Sequence, residues 1–278
     1  MAYFSYDGHR LAYTVHGDGR RTTVLMPGLL LSQKMQTPIA ENLAERGNRV
    51  VTFDPLGHGA SDRPRQMWRY SIPEFARQAI ALFDHLELDE AIVGGTSLGG
   101  NVSLEVAATA PERLRGMIIE MPALDNAIPA CASAFAPLLY LMTFGEPVMR
   151  LLARGARAVP RWRLPLLVEI GLDAIAQDPA PSGAVLQGIL FGRTAPEHTV
   201  RQRLETPALV IGHRRDPVHP FSDADMLVNE LPNAKLIDAN SIVELRTHPK
   251  RLTAKIADFV DECWHVGAEP RALRAASG

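Results

Sequence analysis

Ala91-Ile-Val-Gly-Gly-Thr-Ser97-Leu-Gly-Gly100 joins a short apolar run to helix-compatible residues, Asn101 to Ala110, through the tight sequence Gly95-x-Ser97-x-Gly99. A serine hydroxyl is a poor nucleophile unless it projects from a sharp strand-to-helix turn whose neighbours are small enough to let it form. Two glycines flanking one serine meet that need. A serine that is merely a small residue at a turn would not require them. The same turn aims the Leu98 N–H, at a helix N-terminus, toward the position where an oxyanion would develop. Ser97 is therefore the candidate nucleophile.

Working outward, strands and helices alternate on both sides of this stretch. Residues 2–16 suggest two strands around the hairpin turn Asp7-Gly8. Thr22 to Met26 is a compact apolar strand that ends at Pro27-Gly28-Leu29-Leu30, and residues 37–46 suit a helix closed by Gly47. Asn48 to Asp54 is a β-branched strand followed by Pro55-Leu-Gly-His-Gly-Ala-Ser-Asp62. Ser71 is a suitable N-cap, with Pro73 and Glu74 in the first turn, for a helix to about Leu86. Gly116 to Met121, Ala208 to Gly212 and Ala234 to Ala239 read as further strands. Asp223 to Leu231 and Pro249 to Trp264 read as helices, the latter with Leu252, Ile256, Phe259 and Val260 on one face. Such alternation argues for an α/β fold with a parallel sheet covered on both faces. It stops between about Leu124 and Glu205, where helical apolar periodicity is interrupted by prolines.

Composition narrows the function classes. A chain of 278 residues with 46% hydrophobic residues accommodates one large α/β domain with an inserted subdomain. A formal charge of −2 gives no electrostatic reason to expect nucleic acid or an anionic membrane as partner. Cys131 and Cys263 lie far apart and make neither a disulfide framework nor a metal-ligand spacing. The N-terminus has no apolar h-region, and the apolar run around Pro137 to Phe144 reads as too short and interrupted to span a bilayer. A soluble cytoplasmic protein is expected. No cofactor is expected either, because Gly94 to Gly100 has neither the dinucleotide glycine spacing nor the lysine of a phosphate loop.

Four motifs together resemble the α/β-hydrolase fold family, over about residues 5–264. They are Pro27-Gly28, Asp54-Pro-Leu-Gly-His-Gly-Ala-Ser-Asp62, Gly95-Thr-Ser-Leu-Gly99 and Gly212-His-Arg-Arg-Asp216-Pro, each at the end of a strand. The resemblance implies a mostly parallel eight-stranded sheet flanked by helices, with a helical cap inserted between the sixth and seventh core strands. The expected organisation is a core of residues 1–123 and 206–264, a cap of 124–205 and a flexible tail of 265–278. It also implies roles: Ser97 as nucleophile, Leu29 and Leu98 as oxyanion donors, and Asp216 as the acid that fixes a histidine tautomer. His58 reads as a structural residue of its loop. Pro27 stands where relatives often carry histidine.

The pattern breaks at the base. The family takes its histidine from the loop after the last strand, but here that loop is Asp238-Ala-Asn-Ser-Ile-Val-Glu-Leu-Arg-Thr-His248-Pro249, and the expected slot falls between Ile242 and Glu244. Two histidines remain candidates for Ser97. His219, three residues after Asp216, is favoured, because the corresponding position in the family tends to line the site's mouth. His248 is the less favoured base, and a site with no histidine in reach stays open. Glu244 acting through a water, or Tyr140 as a proton donor, are lesser alternatives.

The insertion carries Phe135, Leu138, Tyr140, Phe144, Met149 and other apolar residues, so the cap is expected to cover an apolar pocket to which Tyr140 and Phe144 contribute. Its arginines, from Arg150 to Arg163, read as a solvated face with snorkelling side chains. The expected function is a cofactor-independent serine hydrolase of a small to medium, largely apolar carboxylic ester, thioester or lactone, with a small-molecule substrate as partner and neither nucleic acid nor membrane. The alternatives are a lyase, cyclase or ligand-binding protein of the same fold, or a hydrolase of C–C bonds. Epoxide hydrolases and dehalogenases are disfavoured, because those relatives place aspartate where Ser97 stands.

Overall fold

The computed structural model describes residues 1–265. Its strands are β1 (Ala2–Tyr6), β2 (His9–His16), β3 (Thr22–Met26), β4 (Arg49–Asp54), β5 (Ala91–Thr96), β6 (Leu114–Glu120), β7 (Ala208–His213) and β8 (Ala234–Ala239). They form one sheet in the order β1-β2-β4-β3-β5-β6-β7-β8. The hairpin β1-β2 and the β2-β4 pair are antiparallel, and every later pair is parallel. Crossover helices make the parallel half possible, because parallel neighbours cannot be joined by a tight turn.

The helices are α1 (Thr37–Glu45), α2 (Ile72–His85), α3 (Leu98–Thr109), α4 (Ile128–Phe144), α5 (Glu146–Ala158), α6 (Leu166–Ile175), α7 (Pro179–Leu190), α8 (His198–Arg201), α9 (Phe221–Glu230), α10 (Glu244–Thr247) and α11 (Lys250–His265). Ser71 caps α2 by accepting the Glu74 N–H, with Pro73 in the first turn. Alternate residues of the buried strands feed two cores. Val24, Met26, Val93 and Ile119 join Phe75, Leu82 and Leu104 on one face. Leu25, Ile92 and Ile118 join Ile39, Leu43, Ile256 and Phe259 on the other. The two-residue period of a strand makes that division automatic.

Between β6 and β7 the described residues are helical or irregular, α4 to α8, as the loss of alternation implies. Of the segment expected to be a tail, His265 ends α11 and residues 266–278 lie outside the described residues. The apolar run near Pro137 needs correcting. Pro137 sits inside α4 without breaking it, so Asp125–Phe144 is continuous over 20 residues, with mean hydropathy 1.6 over its most apolar 18-residue window, long and apolar enough to cross a membrane. The ring is tolerated on an exposed flank, where the carbonyl it leaves free stays open to solvent.

The loop after β4 is built on buried polar groups. Asp54 accepts the Gln33 and Ala60 N–H groups and the Gln33 side-chain amide, at 2.6, 3.0 and 2.9 Å. His58 is fully buried, donates from Nδ1 to the Leu56 carbonyl at 3.0 Å and packs edge-on against Phe75. Burial, reinforced by the nearby Arg63 charge, pushes its pKa down to about 4. The unfolded chain therefore binds a proton, below its ordinary value of about 6.5, that the folded chain refuses. Stability from this group is complete above about pH 6.5 and falls as pH drops toward 4, by about 3 kcal/mol in all. Urea unfolding followed across that window should show this acid loss, and His58→Asn should flatten it.

Candidate active site

Ser97 lies between β5 and α3 with φ 53° and ψ −107°, a left-handed conformation that is costly for a residue bearing a side chain. Its surroundings explain how the turn holds. A Cβ on Gly95 would stand 2.4 Å from the Met26 carbonyl oxygen, and one on Gly99 would stand 2.5 Å from it. Both glycines are needed so that β3 and the start of α3 can close on the turn. The Ser97 N–H donates to Glu120 O at 2.8 Å, and Ser97 O accepts the Asn101 N–H at 2.9 Å. The hydroxyl is thus fixed at the C-terminal edge of the sheet.

The loop after β7 brings the other two groups. Asp216 Oδ1 accepts the Val218 and His219 N–H groups at 2.8 and 2.9 Å, folding the loop back on itself. Its Oδ2 lies 3.0 Å from His219 Nδ1, and His219 Nε2 lies 2.8 Å from Ser97 Oγ. Burial opposes ionisation of Asp216, yet the hydrogen bonds from the His219 ring and from the two amides outweigh it and hold the carboxyl below its ordinary value. An ionised Asp216 can only accept, so Nδ1 carries the hydrogen and Nε2 is left to accept the Ser97 hydroxyl. Asp216 and His219 come from one four-residue segment, Asp216-Pro-Val-His219.

The segment after β8 does other work. Arg246 is buried and reaches the C-terminal ends of β5 and β6, pairing with Glu120 and donating to Thr96 Oγ1 at 2.5 Å. Thr96 donates to Glu120 Oε2 at 2.5 Å, and His213 Nε2 lies 3.6 Å from Oε1. Burial resists ionising Glu120, but the Arg246 charge and these polar neighbours bring its pKa down to about 2. This ionic cluster lies directly behind the strained turn. Glu244 is engaged by Arg251 and by the Asn240 N–H. His248 ends α10, exposed, with Nδ1 3.0 Å from Thr247 Oγ1.

Ser97 opens into a cavity of about 500 Å³ that Leu29 and Leu98 also line. Leu98 is the first residue of α3, so its N–H has no helical carbonyl four residues back. Leu29 sits in a tight turn closed by the Leu31 N–H on Gly28 O at 3.0 Å. The cavity wall is apolar at Ile128, Phe135, Ile189 and Leu190, and polar at the far end around Arg193, His198 and Arg201. Tyr140 and Phe144 do not contribute to it. They are 63% and 73% exposed and pack on one another with ring centroids 5.0 Å apart. Helical spacing gives the reason: Ile128, Cys131, Ala132 and Phe135 share the inner face of α4, and residues 140 and 144 fall on the other side.

Several site residues escaped the sequence reading. Asn101 donates from Nδ2 to the carbonyls of Ala123 at 2.7 Å and Thr194 at 2.8 Å, tying the segment after β6 and the segment after α7 to α3. Glu230 joins His198 and buried Arg201 at the cavity's polar end. A carboxylate closing an apolar strand, as in Met117-Ile-Ile-Glu120, was a readable sign of a buried ion pair. Its partner, 126 residues away, was not. A second cavity of about 590 Å³ lies beside Asp54, Arg63 and Asp178, away from Ser97. Its size is greater, but Ser97 lines the first.

Residues 23–143 match the model of the alpha/beta hydrolase fold family. Over 240 residues the chain is 27% identical to serine hydrolase BPHL of Mus musculus, covering 83% of this chain and 75% of that protein. It is also 27% identical to 3-oxoadipate enol-lactonase 2 of Acinetobacter baylyi, covering 81% and 83% of the two chains. Among solved structures, an enol-lactonase from Burkholderia xenovorans superposes with a TM-score of 0.77 at 21% identity, over 94% of this chain and all of that one. Named relatives of this kind are hydrolases and support a hydrolytic enzyme here. The eight-stranded sheet, the family match and these neighbours agree that the chain has the α/β-hydrolase fold.

Proposed function

We propose that this protein is a cofactor-independent serine hydrolase that cleaves small to medium, largely apolar carboxylic esters, thioesters or lactones through an acyl-serine intermediate. One observation carries the reading: the continuous chain from Asp216 Oδ2 to His219 Nδ1 at 3.0 Å and from His219 Nε2 to Ser97 Oγ at 2.8 Å. In the first half-reaction Ser97 Oγ attacks the acyl carbon while its proton passes to His219 Nε2. The Leu29 and Leu98 N–H groups receive the developing oxyanion. Collapse expels the alcohol or thiol, which takes the proton from His219. Water then attacks the acyl-serine with His219 as base, and the acid leaves with Ser97 restored. Asp216 fixes the ring and stabilises the imidazolium without being protonated itself.

The apolar wall formed by Ile128, Phe135, Ile189 and Leu190 suits the hydrocarbon part of such a substrate. The enol-lactonase among the relatives supports a lactone as one member of the class. A fluorophosphonate probe tests the reading, with the adduct located by peptide mass spectrometry. The expected adduct is on Ser97, absent in Ser97→Ala and unchanged in His248→Ala. An unlabelled wild-type protein that still binds apolar ligands would instead favour a non-hydrolytic protein of this fold.

A further inference from the structure

The cap turns an uncovered apolar face to solvent. From residue 126 to 145 the chain contains no charged residue, yet only 11% of the apolar window in this helix is buried. A helix that is apolar on all sides is stable only when all sides are covered. The inner side of α4 is covered, since Phe135, Leu138, Leu139 and Met142 pack inward. The outer side presents Tyr140, Leu141 and Phe144, and Phe144 is 73% exposed. The face continues along α5 through Val148, Leu151 and Leu152, at helical spacing, and on to Trp162 in the turn before α6. Leu151 is 67% exposed and Trp162 73%.

The charges beside this face are mostly positive, with Arg150 paired to Glu146 and Arg161 to Asp173. Residues 146–163 carry five arginines against one glutamate, a net charge of +4. Arg150, Arg154 and Arg157 recur on the flank of α5 opposite Val148, Leu151 and Leu152, and the Arg163 guanidinium lies 4.0 Å from the Trp162 ring centroid. Aliphatic and aromatic groups on one side of a helix with arginines on the other fit the water–lipid interface, where the apolar side enters the acyl region and the cations meet anionic headgroups. Trp162 is a residue type suited to that boundary. A second copy of the chain fits less well, because it would bring these arginines no counter-charge, whereas an anionic surface does.

We propose that the outer face of α4 and α5, with Trp162, docks this protein on the surface of an anionic lipid bilayer. The helices lie in the interface and do not cross it. The inner face of α4 lines the Ser97 cavity through Ile128, Cys131 and Phe135, so α4 cannot leave the fold without dismantling that wall. Docking is independent of the proposed chemistry and is measured without turnover.

The test is flotation of the full-length protein with vesicles of phosphatidylcholine alone or with added phosphatidylglycerol, at low and raised salt. The protein should float with the phosphatidylglycerol vesicles, less so as salt rises. Arg154→Gln and Arg163→Gln should each weaken partitioning about fivefold. The double variant Phe144→Asp with Leu151→Asp should weaken it at least about tenfold while keeping the wild-type melting midpoint, because both side chains are exposed. Protein that floats with neither vesicle overturns the proposal, as does a double variant that floats like wild type. A wild-type dimer in light scattering that the double variant dissolves overturns it in favour of a second copy.

Discussion

Alanine at His219 should lower kcat for a short aryl ester by about 10⁶, as should alanine at Ser97, and combining the two should cost no more than either alone. The reason is geometric. The Ser97 hydroxyl has one nitrogen to receive its proton, 2.8 Å away, and a nucleophile without its base is no better than a base without its nucleophile. What survives in each variant is the contribution of the oxyanion donors and of binding, a residual rate about 10³–10⁴ above water. His248→Ala is the internal control and should leave kcat within about twofold of wild type, since His248 is exposed at the end of α10. Stopped assays on purified variants check all four proteins. A His219→Ala enzyme that keeps a tenth of the wild-type kcat would remove His219 from the proposed mechanism.

Asp216→Asn should reduce kcat by about 10⁴ with little change in fold. Asparagine can keep its oxygen on the Val218 and His219 N–H groups, now at 2.8 and 2.9 Å from Oδ1, so the loop retains its shape. Its NH₂ then faces His219 Nδ1 and donates to it. Nδ1 becomes an acceptor, the ring hydrogen moves to Nε2, and the atom facing Ser97 can no longer take a proton. KM should move far less than kcat, because the change acts on the proton transfer and leaves the apolar wall untouched. Equal loss in Asp216→Asn and Asp216→Ala, together with a lowered melting midpoint in both, would instead assign Asp216 to loop stability alone.

The two experiments bear on a proposed base that lies in the loop after β7 and not in the loop after β8. The loop that usually supplies it offers Arg246, whose pairing with Glu120 fills the space under the turn at the ends of β5 and β6. A buried guanidinium with a matched carboxylate is costly to dismantle, since removing one partner leaves the other charge unpaired. In the proposed mechanism the imidazole comes from the loop after β7, which also carries Asp216. The compact Asp216-Pro-Val-His219 unit has a mechanical advantage as well: the carboxylate that orients the ring also holds the loop, through two backbone N–H groups.

Much of this was legible from residues close together in the chain. Strand and helix alternation, the Ser71 cap, the hairpin at Asp7-Gly8 and the glycine-flanked serine are local signals, and each sets dihedral angles or burial within a few residues. Asp216 and His219 are three apart, so their pairing was also within reach of the sequence. The cap's pocket residues were misassigned because every apolar residue of α4 suits an inward position, and composition cannot say which arc of a uniformly apolar helix faces the core. Tyr140 and Phe144 fell on the wrong arc.

By itself, then, the sequence determined the fold and the strained, glycine-flanked turn at Ser97, because strained turns and buried strands leave a short-range signature in glycines and alternating apolar residues. The tertiary structure decided the rest. Adjacent placement of β5, β6 and β7 in the sheet brings His219 to Ser97 across 122 residues, and it carries Arg246 to Glu120 across 126. The same packing turns one side of α4 toward the cavity and leaves the other bare. Such meetings depend on strand order and helix rotation, which are settled only when the whole chain closes on its core, and no local pattern encodes them.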